Sequence, residues 1–120
     1  MIFHITTRTA WQSAQAAGYY RDPSLDEAGF IHASTAQQVS AVANAFYRGQ
    51  SDLVLLFIDE ARLASELRWE PPAGPPAPGI AESDHFPHLY GPLNLDAVVR
   101  VLDLKPDSTG VFTLPPLASI

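Results

Sequence analysis

Two histidine–hydroxyl pairs are the residues of this sequence best placed to do chemistry. In Ile2-Phe3-His4-Ile5-Thr6, the histidine and the threonine stand two residues apart in a short apolar run. In Gly29-Phe30-Ile31-His32-Ala33-Ser34, a histidine and a serine have the same spacing. Alternate residues of a β-strand share a face, so the pattern puts His4 with Thr6, and Phe30 with His32 and Ser34. Two such strands side by side form the floor of a polar ligand cleft, in which imidazoles accept, donate or carry a proton near neutral pH. Ser34 also stands where a helix N-cap belongs, with Gln37 three residues on in the capping-box position. Glu70 is a candidate carboxylate for the rim of the cleft, and His88 and Tyr90 follow a proline-rich stretch that could bring them to it.

Other chemistries lack their residues. There is no cysteine, so disulfides and thiolate metal sites are excluded. His85 and His88 are separated by Pro87, which keeps them off one helical turn, and no His-Glu zinc motif is present; no metal site is expected. The sequence has no nucleophile elbow, no phosphate-binding glycine loop and no G-x-G-x-x-G. A net charge of −6 argues against broad nucleic-acid binding, while leaving room for a small anionic ligand in a local pocket. The longest apolar run, Leu53 to Ile58, is far too short to span a bilayer. The chain opens on a strand rather than a basic, then apolar, leader, and a cytoplasmic location is the expectation.

The elements that must position these residues follow from periodicity. A strand over residues 2–6 is followed by a helix from Arg8 to Ala17, with Trp11 and Ala14 on its apolar side and Gly18 closing it. Residues 19–27 read as a loop with a turn at Asp22-Pro23-Ser24. A second helix is expected from Thr35 to Arg48, with Val39, Val42, Ala43 and Phe46 at helical spacing and Gln37, Ser40 and Asn44 in a polar row. Asp52 to Asp59 is apolar without alternation, the mark of a strand covered on both faces. A short helix is expected around Leu63, then a strand over residues 67–70 with Leu67 and Trp69 inward. Residues 71–83 read as a mobile surface loop, able to close over a ligand. Strands at residues 97–104 and 111–114 complete a single α+β domain over residues 1–120, with two N-terminal helices.

Taken in order, Phe3-His4-Ile5-Thr6, Trp11, Gly18, Tyr20, Gly29-Phe30-Ile31-His32-Ala33-Ser34, Trp69-Glu70 and Phe86-Pro87-His88-Leu89-Tyr90-Gly91-Pro92 resemble the uncharacterised family called domain of unknown function 952. That family is in turn similar to the ADP-ribosyltransferases, whose split and strongly bent β-sheet holds NAD between its halves. The resemblance implies NAD or a nucleotide-like ligand in the cleft and an ADP-ribosyl or NAD-dependent 2′-phosphate transferase activity. It implies that His4 and Thr6 hold the nicotinamide riboside, with Tyr20 or Tyr90 as the stacking aromatic. Ser34 and His88 would complete the ligand contacts, His32 would orient ligand or acceptor, and Glu70 would face the charge developing at the ribose carbon. Glu70 lacks the transferase pairing with an acidic residue or glutamine two positions away, and the arginines of the 2′-phosphate branch are absent. A non-catalytic nucleotide-binding module is the alternative of a different class.

Overall fold

In the computed structural model, residues 1–72, 74–75, 77–81 and 83–114 are described. Three antiparallel sheets carry the fold: β1 (Ile2–Thr7), β4 (Leu53–Ile58) and β8 (Val98–Leu104) in the order β1-β4-β8; β2 (Tyr19–Tyr20) with β7 (Leu93–Asn94); and β3 (Ile31–His32), β6 (Phe86–Tyr90) and β5 (Glu66–Glu70) in the order β3-β6-β5. The helices are α1 (Arg8–Ala17), α2 (Ser24–Glu27) and α3 (Val39–Phe46). The architecture is α+β.

Strand β4 explains the arrangement. All six of its residues are buried, because it pairs with β1 on one side and β8 on the other and has a core layer on each face. Val54, Leu56 and Ile58 meet Ile2, Ala14, Tyr20, Ile31 and Leu89. Leu53, Leu55 and Phe57 meet Phe3, Ile5, Val39, Ala43 and Phe112. Each fully buried Leu or Phe contributes about 1.5–3 kcal/mol, so these two layers dominate stability. Strand β1 alternates between them, with Ile2, His4 and Thr6 on the first layer's side and Phe3 and Ile5 in the second. The backbones of the two three-stranded sheets meet where Phe3 and Ser34 exchange hydrogen bonds of 2.8 Å.

Helix α1 has the predicted bounds. Thr7 caps its start by accepting from the Ala10 N–H, and Gly18 ends it at φ +92°, donating to the Ala14 carbonyl. Helix α3 begins four residues later than the capping box at Ser34 and Gln37 predicts. Ser34 is tied to β1 as a strand residue, and the Gln38 side chain stitches the turn instead, accepting from the Thr35 N–H and donating to the His85 carbonyl. A one-turn helix, α2, replaces part of the expected loop. Asp22 nucleates it by accepting from the Ser24 N–H, an Asx turn. The helix expected around Leu63 is a single 3₁₀ turn, Glu60–Arg62, and the last strand is one bridge between Pro106 and Phe112.

Trp69, expected inward, is 45% exposed: β5 is an edge strand, and Trp69 lies opposite Pro87 near its end, past the Leu67–Leu89 pair that reaches the core. The Gln37, Ser40 and Asn44 row has a structural use. Asn44 donates to the Phe112 carbonyl and accepts from the Phe112 N–H, holding the distal segment over α3. No helix among the described residues is long and apolar enough to cross a membrane.

Candidate functional site

The residues singled out in the sequence fall into two groups, joined at His32. The first is a closed network. His4 is 4% exposed, Thr6 7% and Tyr20 2%. The His4 Nδ1 donates to the His32 carbonyl at 2.5 Å, and its Nε2 lies 2.9 Å from the Tyr20 hydroxyl and 3.4 Å from the Asp22 carboxylate. Tyr20 donates to Asp22 at 2.7 Å, and its oxygen is 3.0 Å from Thr6 Oγ1. Burial alone would raise the Asp22 carboxyl. Hydrogen bonds from His4, the Ser24 backbone and Tyr20 outweigh that and hold it well below the usual carboxylate range. Burial pushes the Tyr20 phenol far above its ordinary value, so it remains a donor. His4, Thr6 and Tyr20 therefore satisfy one another. They do not open with His32 into a shared pocket, because the β1 pleat turns His4 towards the first core layer while Phe3 and Ile5 face the cavity described next.

The second group covers one face of the β3-β6-β5 sheet. His32 lies opposite His88, and His88 opposite Arg68, so the three form a row across the strands. His88 is 3% exposed, in the central strand. Phe30 stacks on its ring at 4.0 Å between centroids, and His32 meets it edge-on at 5.7 Å. The His88 Nδ1 donates to Glu70 at 2.9 Å, and the Tyr90 hydroxyl donates to the same carboxylate oxygen at 2.5 Å. The Tyr90 bond first, and the His88 bond second, lower the Glu70 pKa; the carboxylate in turn raises that of Tyr90. Arg68 lies 4.4 Å over the Tyr90 ring while paired with Glu66. Burial on its packed side, then the nearby His88 and His4, lower the His32 pKa below its ordinary value.

Beside this face is a cavity of about 350 Å³, bounded by α3, the β1–Ser34 junction and the proline-rich stretch. Its walls are apolar, formed by residues such as Phe3, Ile5, Phe46, Phe86 and Ile80, and its polar lining includes His32, Ser34 and His88. The expected loop over residues 71–83 contributes Pro72, Gly74, Pro75, Ala77 and Ile80 as one wall. Residues 73, 76 and 82 of that loop lie outside the described residues. Of the eight candidate residues, His32, Ser34 and His88 line the cavity; Glu70 and Tyr90 stand behind His88; His4, Thr6 and Tyr20 form the separate network. Sequence reasoning missed Asp22 as the centre of that network and Phe30 as the lid on the His88 ring. Both belong to blocks that the sequence marks, Asp22 only as a turn former. Among the described residues no cluster of three His, Cys, Asp or Glu side chains is arranged to hold a metal.

The chain is similar over most of its length to protein CC0527 from Caulobacter crescentus. The crystal structure of that protein is 36% identical with a TM-score of 0.80, covering 94% of this chain and 93% of the other. Its solution NMR structure is 37% identical with a TM-score of 0.72, covering 98% of this chain and 92% of the other. No curated protein matches. Residues 5–101 match the family described as "Protein of unknown function (DUF952)", and the chain belongs to that family.

Proposed function

We propose that this protein binds a small, flat, nucleoside-like ligand in the cavity between α3 and the β3-β6-β5 sheet. The observation that carries the reading is a cavity of about 350 Å³, apolar on its walls and furnished with His32, Ser34 and His88. Its size lies within the range of small-ligand sites, which are mostly apolar with a few polar groups that fix orientation. Phe3, Phe46, Phe86 and the prolines suit the faces of a heteroaromatic ring; the imidazoles and the hydroxyl suit its edge.

NAD as a whole fits these residues poorly. No Arg or Lys is among the described lining residues, and a pyrophosphate wants such charge. The nicotinamide or adenine end alone is compatible in size and polarity. A split, bent sheet of the ADP-ribosyltransferase kind is consistent with two three-stranded sheets that meet at the Phe3–Ser34 bridge. The transferase activity draws less support. Glu70 is held by His88 and Tyr90 and is not among the cavity's lining residues, so a ligand there would meet His88 before the carboxylate.

Calorimetric titration of the protein with nicotinamide, adenosine, uridine, NAD and ADP-ribose tests the reading. At least one uncharged ring compound should bind, with no gain from added phosphates. Tighter binding of NAD or ADP-ribose than of every nucleoside, or no binding by any of the five, would refute it.

A further inference from the structure

Three polar side-chain groups on the cavity wall have no hydrogen-bond partner among the described residues: the His32 ring, Ser34 Oγ and the Nε2 of His88. Ser34 is 5% exposed and His88 3%, yet neither Ser34 Oγ nor His88 Nε2 is a fully buried unpartnered atom, so both residues are packed while these atoms keep a narrow exposure at the cavity they line. A ligand that fills the cavity would cut these atoms off from water and must itself supply their partners, because a buried polar group left without one is costly. The tautomer of His88 is legible from its other nitrogen. Nδ1 faces a carboxylate, which only accepts, so Nδ1 carries the proton. Tyr90 donates to that same oxygen and steadies it, and Phe30 fixes the ring plane. In the neutral ring Nε2 is then a bare lone pair presented at the polar end of an apolar cavity.

We infer that His88 is the proton-accepting group of this site, and that the site selects uncharged rings with an N–H beside a carbonyl, the edge of a cyclic lactam or imide. The N–H points at His88 Nε2, and the adjoining carbonyl accepts from the Ser34 hydroxyl. Where the ligand N–H is acidic enough to ionise, its proton passes to Nε2. The ligand keeps the electron pair as an anion, and the resulting imidazolium is neutralised by Glu70 through Nδ1. Glu70 is a positioning residue in this scheme: it sets the tautomer without touching the ligand. The inference rests on the cavity being a ligand site and adds the chemistry of its recognised edge.

The test pairs a spectroscopic measurement with a matched pair of probes. ¹⁵N NMR of the histidine side chains reads which His88 nitrogen is protonated with no ligand present. Titration with uracil and with 1,3-dimethyluracil compares two rings of one shape, the second with both N–H groups blocked. The proton should reside on Nδ1 in the wild type. Uracil should bind on the order of tenfold more tightly than its dimethyl analogue, the consequence of leaving a buried acceptor unpaired. Glu70→Gln should mix the tautomers and shrink that ratio while leaving the fold intact. A proton on Nε2, or equal binding of the two probes, overturns the inference. Absence of binding by both probes, while adenosine or nicotinamide binds, overturns the lactam class and leaves the ligand site standing; failure of every ring removes the site itself.

Discussion

Replacing His4 with alanine separates a structural histidine from a ligand-reading one. The ring holds the His32 carbonyl at 2.5 Å. That carbonyl belongs to a residue whose neighbour, Ala33, donates to Pro87 on the β6 side, so His32 itself faces β1, where the His4 side chain stands in for a missing backbone donor. Leaving it unpaired costs about 1–3 kcal/mol. The Tyr20–Asp22 pair loses its third member, on the order of 1 kcal/mol more, and the void of an imidazole remains in a layer packed by Ile2, Ala14 and Tyr20. The sum is on the order of 3 kcal/mol, close to the roughly 3–5 kcal/mol expected for Phe3→Ala on the opposite face. A thermal melt should show a fall in Tm of roughly 10 °C for His4→Ala. His32→Ala is the control. It keeps the same carbonyl, and its ring has no hydrogen bond among the described residues, so its melt should stay within about 1 kcal/mol of wild type. If His4→Ala melts like His32→Ala, the His4 network contributes little to the fold, and the argument that its members are committed to one another collapses.

Acid should unfold the protein partly through Asp22. Its folded pKa is depressed, so the stability it contributes is present above the ordinary carboxylate value and is lost as pH falls through the folded one; Asp22→Asn should flatten that part of a stability–pH profile measured by urea melts. His32 should titrate by NMR below its ordinary 6.5, and His88→Gln should move it part of the way back, since burial is the largest cause of the shift and His88 the next; no movement would place the two rings farther apart than they stand here. Gly91→Ala should destabilise by about 1–3 kcal/mol, because the added Cβ would lie 2.4 Å from Ser65 Oγ and 2.9 Å from Ser65 Cβ, and a second change, Ser65→Gly, should recover most of the loss in a denaturant melt. Asn44→Ala should cost about 2 kcal/mol by leaving both backbone groups of buried Phe112 without their side-chain partner, and hydrogen exchange at the Phe112 amide should quicken.

How much of this was legible beforehand depends on whether the signal is local. Strand β4 could be read from six apolar residues without alternation, because burial on both faces leaves a mark that needs no partner. Helix α1 could be read from its spacing and from Gly18, whose positive φ is a local demand. Ser34 could not. A serine before a helical pattern has the chemistry of a cap, and only the long-range bridge to Phe3 decides that it serves as a strand residue. The same competition between local and tertiary bonding governs the site. Histidine–hydroxyl spacing correctly placed His4 beside Thr6 on one face, yet it carries no information on which core layer that face meets. Since β4 has a layer on each side, the pleat of β1 had two interiors to choose from, one closed by Tyr20 and one open to the cavity. Strand alternation alone assigns His4 and His32 to equivalent positions; the antiparallel bridge at Phe3–Ser34 puts His32 on the cavity side and turns His4 away. The roles of the two histidines differ because of a single backbone pairing. His4 satisfies the His32 carbonyl from the other side of the strand, while the His32 ring stands on the cavity wall.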